Sequence, residues 1–83
     1  MNGYSVKTPR QLGSVLQGYR KEKRLTQSAV AAKIGVRQNA VSLMESDPGP
    51  SSLSRILKLL ASLDLELVVR PRGRPDRSAD AEW

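Results

Sequence analysis

Apolar residues recur along the first sixty positions at helical spacing, in four separate stretches. Leu12, Val15, Leu16 and Tyr19 stand at i, i+3, i+4 and i+7, one stripe of a helix that runs to about Lys23. Thr8, Pro9 and Gln11 predict where it starts: the hydroxyl caps, the fixed φ of proline suits the first helical position, and Gln11 completes a capping box. Thr26 opens a second, shorter helix with Val30, Ala31 and Ile34 inward, and Gly35 closes it because the turn out of a helix favours a residue that tolerates positive φ. A third helix is expected from about Gln38 to Glu45, with Val41 and Met44 inward. Asp47-Pro48-Gly49-Pro50 cannot continue it and reads as a loop. Ser51 or Ser52 then caps a fourth helix, whose stripe reads as Leu53, Ile56, Leu57, Leu60 and Ala61.

Beyond this helix the period changes. Leu63, Leu65, Leu67 and Val69 alternate with Asp64, Glu66, Val68 and Arg70, the spacing of a strand with one apolar face. The chain offers no second strand, and backbone groups need partners, so the expectation is pairing between two copies, with Leu65, Leu67 and Val69 at the seam. A frayed end to the fourth helix is the alternative. From Pro71 the sequence is polar and broken by proline and glycine, and is expected to be disordered. The organisation is therefore a domain over 1–63, a dimerisation strand over 64–70 and a tail over 71–83.

Eighty-three residues suffice for one small domain, which buries only roughly 60% of its unfolded surface. With no cysteine and no histidine, disulfides, thiolate nucleophiles, Ser/His/Asp triads and zinc sites of Cys or His are excluded. No cofactor is expected. The net charge of +6 is unevenly placed. Residues 1–46 hold eight basic side chains against two acidic ones, while 47–70 and 71–83 are each balanced, so the whole surplus lies in the first half. Such a half suits a polyanion, most simply nucleic acid. Lys58, Asp64 and Glu66 interrupt the most apolar stretch, and the first ten residues lack the apolar core of a signal peptide, so a cytoplasmic, nucleoid-associated protein is expected.

A short helix, a glycine turn and a second short helix within Thr26–Glu45 is a helix-turn-helix arrangement, which places the second helix in the major groove with its N-terminal residues at base edges. The segment TQSAVAAKIGVRQNAVSLME resembles the Xre/Cro-like helix-turn-helix family, the phage-repressor type. The likeness rests on Gln27 opening the second helix, Ala31 at the helix contact, Gly35 and Val36 at the turn, and Ser42 and Glu45 in the third helix. The fold expected is thus all-α, a lambda-repressor-like domain of four helices with one C-terminal strand that pairs across a homodimer. Four helices, the strand-like LDLELVV and a loose tail ending in Glu82-Trp83 further resemble the layout of HipB-type antitoxins. That resemblance implies a homodimer bound to operator DNA and complexed with a HipA-like serine/threonine kinase toxin, the antitoxin half of a type II toxin–antitoxin pair.

Geometry, supported by the family, nominates Arg37, Gln38, Asn39 and Ser42 for base reading, since Arg matches guanine O6/N7 and Gln or Asn matches adenine N6/N7. The competing reading is that Arg37 or Gln38 merely caps the helix and meets solvent. Leu43 is open between a thymine methyl contact and the core. Thr26 and Gln27, at a helix N-terminus, are nominated for phosphate, with a plain cap as the alternative for Thr26. Lys23, Arg24 and Lys33 are nominated for phosphate neutralisation, against the alternative of a solvated basic face. The family pattern also pairs an arginine late in the first helix with the glutamate ending the third, here Arg20 with Glu45. Trp83, the only tryptophan, is a candidate partner anchor on the toxin, against an unused or folded-back tail.

Other functions fit less well. A stand-alone repressor of the same family, without a toxin, shares every feature above, and a kinase-like reading frame beside the gene distinguishes the two. RNA-binding sheets need stacking aromatics, and here Tyr4, Tyr19 and Trp83 are scattered. The few acidic residues form no pair at a spacing for acid–base catalysis, so no enzyme is expected. Membrane binding by the first helix would remove the stripe that a small core requires.

Overall fold

A computed structural model describes residues 3–72. The described residues form four helices, α1 (Pro9–Glu22), α2 (Gln27–Ile34), α3 (Gln38–Ser46) and α4 (Leu53–Ser62). α3 packs against both α1 and α2, and α4 closes the bundle against α2. Leu16, Val30, Val41, Met44, Leu59 and Leu63 are wholly enclosed, one or more from every helix or its terminal turn.

The helix starts follow from local chemistry. The Thr8 hydroxyl accepts from Gln11 N at 3.1 Å, and Gln11 Oε1 accepts from Thr8 N at 3.1 Å, a complete capping box. Thr26 accepts from Ala29 N, and Ser52, rather than Ser51, accepts from Arg55 N. Only α3 begins without a side-chain cap, on Arg37.

Three of the helix ends share one device. Arg24, Gly35 and Asp64 each adopt the left-handed conformation, with φ of 59°, 74° and 60°. The next residue, Leu25, Val36 or Leu65, donates its N–H to the carbonyl five positions back (Arg20, Ala31 or Leu60) and lays its side chain on the core. This is the Schellman arrangement, in which an apolar residue just past the helix seals its last turn. Only the second of these turns holds a glycine.

Two expectations are corrected. On α4 the buried residues are Ile56, Leu59 and Leu60, whereas Leu53, Leu57 and Ala61 are exposed. The stripes 53-56-57-60-61 and 56-59-60-63 share Ile56 and Leu60 and are both helical. In so leucine-rich a helix, contact with α2 selects the second, and spacing alone does not. Leu63, expected on a strand face, is the enclosed C-cap of α4, and Leu65 is the half-buried seal after it. The alternation there begins as a helix stop. Among the described residues of the single chain, 65–70 form no β-ladder and no backbone hydrogen bond reaches 66–70.

Candidate nucleic-acid interface

The position of α3 is set by α1. Gly13 is buried where α1 crosses the end of α3, and a Cβ there would overlap the carbonyl oxygen of Glu45 and lie 2.9 Å from its carbon. About two turns of α1 further on, Arg20 reaches the same residue. Its Nε donates to Glu45 Oε2 at 2.5 Å and Nη2 to Glu45 Oε1 at 3.1 Å, while Nη1 donates to the Leu25 carbonyl at 2.7 Å. The two side chains are 10% and 3% exposed, so the ion pair is shielded from water, and none of its buried polar atoms is left without a hydrogen-bond partner.

Glu45 also holds α2. Gln27 Nε2 donates to Glu45 Oε1 at 3.0 Å, and Gln27 Oε1 accepts from Gln38 Nε2 at 3.4 Å. Gln38 Oε1 in turn accepts from the Ser28 hydroxyl at 3.1 Å. An unbroken polar chain therefore runs from Arg20 through Glu45 and Gln27 to Gln38, the first residue of α3. Gln27, nominated for phosphate, sits in the middle of this chain. Ser28 was not singled out by sequence reasoning, nor was Gly13. A serine after a capping threonine reads as ordinary helix, and a glycine inside an amphipathic stripe reads only as a weak helix position.

Arg37, Gln38, Asn39 and Ser42 all lie exposed at the start of α3 and one turn along it. The Thr26 hydroxyl is engaged as the α2 cap. Lys23 Nζ lies 3.4 Å from Asp64 Oδ2 and Lys33 Nζ 3.5 Å from the Ser62 carbonyl, so both ammonium groups turn to the C-terminal end of α4. Arg24 is exposed in its left-handed turn. Of the proposed seam, Leu65 is half-buried against its own core, and Leu67 and Val69 are 54% and 90% exposed in the single chain. Trp83 and most of the tail lie outside the described residues.

Residues 16–69 match the helix-turn-helix family, more than half of the chain. Over 87 aligned positions the chain is 33% identical to antitoxin HipB of Escherichia coli strain CFT073, covering all of this chain and 93% of that one. The chain belongs to the HipB family of helix-turn-helix antitoxins. Solved HipB structures have the same fold. A HipB–O4 20mer complex superposes with a TM-score of 0.81 at 30% identity, over 86% of this chain and 100% of that one. A HipA–HipB–O2–O3 complex gives the same score, identity and coverage. In this HipB-type chain α3 is thus held at its C-terminal end by Gly13 and Arg20 and tied to α2 through Gln38, with Arg37, Gln38, Asn39 and Ser42 exposed to solvent.

Proposed function

We propose that this chain is a DNA-binding repressor and the antitoxin of a type II toxin–antitoxin pair. Two copies bind an inverted repeat upstream of their own gene and cover the promoter. The same dimer binds a HipA-like serine/threonine kinase toxin, and the complex represses the shared operon. The observation that carries this reading is the exposed polar group Arg37, Gln38, Asn39 and Ser42 at one end of a helix whose other end is clamped. Rigid presentation matters because base hydrogen bonds discriminate only when donor and acceptor are fixed in register.

Each residue has a role in this account. Arg37, Gln38, Asn39 and Ser42 read base edges. Thr26 and Gln27, at the start of α2, meet a phosphate through backbone N–H groups, where the helix dipole favours an anion. Lys23, Arg24 and Lys33 neutralise flanking phosphates, the two lysines leaving their contacts at the end of α4 to do so. Leu65, Leu67 and Val69 belong to a strand that pairs with its copy, which gives partners to the backbone groups of 66–70 and covers apolar side chains. Two recognition helices related by a two-fold axis then enter successive major grooves, roughly 34–36 Å apart. Trp83 anchors the tail in an apolar pocket of the toxin.

The support from relatives is that HipB proteins of this fold have been solved with O4 20mers and with HipA. The test has two arms. Wild-type chain is titrated against the DNA upstream of its own gene and against unrelated duplex, at several salt concentrations. A specific complex, tighter than the unrelated one at every salt concentration, is expected; equal affinity for both duplexes contradicts sequence reading. The neighbouring kinase-like protein is then titrated with the full chain and with a chain lacking Trp83. Loss of affinity on deletion is expected, and unchanged affinity removes the tryptophan from the interface.

A further inference from the structure

Leu43 is a large apolar side chain, 60% exposed, on a short helix whose other large apolar residues, Val41 and Met44, are enclosed. It stands one turn beyond Asn39. Together with Arg37, Asn39, Ala40, Ser51 and Arg55 it lines an open concavity between α3 and the start of α4. The lining holds two guanidinium groups and no carboxylate. A surface of this kind fits a polyanion that carries a small apolar spot, and DNA has one in its major groove, the 5-methyl group of thymine. Packing of the core does not account for a leucine here: it stands outside the core cluster and mostly in solvent, and a polar residue would hold the same helix.

Resting on the DNA-binding reading, we infer that Leu43 is a specificity-determining residue that packs on a thymine methyl one helical turn beyond the bases met by Arg37, Gln38 and Asn39. Its side chain makes no hydrogen bond, so it discriminates by shape. Thymine fills the space against it, whereas cytosine presents an amino group that would lose its water there without a partner. Arg37 and Arg55, on the walls of the same concavity, hold the strand close enough for that contact to form.

Deoxyuridine differs from thymidine at this edge only by the methyl group, which makes the contact separable from every other. The wild-type full chain and Leu43→Ala are titrated against the footprinted upstream duplex, and against duplexes in which each thymidine of a half-site is replaced singly by deoxyuridine. Alanine removes the side chain without touching the core and keeps the helix. For wild type, one replacement weakens binding about fourfold, the factor expected for one buried methyl group. Leu43→Ala weakens binding to the thymidine duplex by at least as much and no longer distinguishes that position. If Leu43→Ala binds as wild type does, or still discriminates that thymidine by the wild-type factor, the contact is absent while DNA binding stands. If wild type retards no upstream DNA, the DNA-binding reading falls and this contact with it.

Discussion

Gly13 and Glu45 meet backbone to backbone, with the position of a Gly13 Cβ already occupied by the Glu45 carbonyl. The obstacle is main chain at the end of a helix, so no rotamer change relieves it. Gly13→Ala therefore forces α1 and α3 apart, although alanine is the better helix former. The expected cost is about 1–3 kcal/mol, as for other overpacked sites, and a fall in Tm of about 4–24 °C in a domain of this size. Thermal unfolding by circular dichroism checks it. Gly18 on the same helix has open space at its Cβ position, and Gly18→Ala should leave Tm unchanged or raise it.

Arg20 and Glu45 are buried together, which makes single and double replacements differ in kind. Arg20→Met leaves a carboxylate without its cation in a nearly dry site, and Glu45→Leu leaves the guanidinium alone. Each should cost about 3–5 kcal/mol. The double variant leaves neither charge exposed to desolvation, and should recover much of that loss despite removing both groups. Urea denaturation of the four proteins gives the coupling, and a purely additive result would show that the pair does not act as one unit.

Arg24 and Gly35 occupy equivalent turns, yet only one is glycine. An L-residue in the left-handed region costs about 1–2 kcal/mol, of which glycine's greater unfolded-state freedom returns a part. Arg24→Gly should thus raise stability by about 1 kcal/mol. It also removes a proposed phosphate contact, and should weaken DNA binding while lowering the salt slope by about one. Stability and affinity moving in opposite directions is the signature; an unchanged salt slope would return Arg24 to a purely structural place.

Leu67 and Val69 are exposed in the single chain, so charging them leaves its core intact. Leu67→Glu and Val69→Glu place like charges across the proposed strand pair, where they destabilise. Sedimentation equilibrium should show a shift from dimer to monomer with unchanged helix content. A dimer that survives both substitutions is held by some other surface.

Legibility in the sequence followed how local each cause is. Thr8, Gln11, Thr26 and Gly35 act within one turn of themselves, and capping and turn chemistry could be read from neighbouring letters. The rotation of α4 could not, because two leucine stripes fit equally and the choice lies with α2. Leu63 and Leu65 mimicked strand alternation because a helix stop sealed by an apolar residue also places leucines two apart around a polar one. At the site, the exposed set on α3 follows from helical geometry. The bonds from Gln27 and Ser28 to Gln38, and the approach of Gly13 to Glu45, depend on how separate helices meet, which no local pattern encodes.

The central claim is that the start of α3 reads base sequence. Affinities of wild type, Arg37→Ala and Gln38→Ala for the protected upstream duplex and for an unrelated duplex at one salt concentration test it most directly. Each substitution should weaken the specific complex by about ten- to hundredfold per half-site, with Gln38→Ala leaving non-specific affinity unchanged because no charge is lost. If both variants bind the upstream duplex as tightly as wild type, these side chains do not read DNA and the account is contradicted.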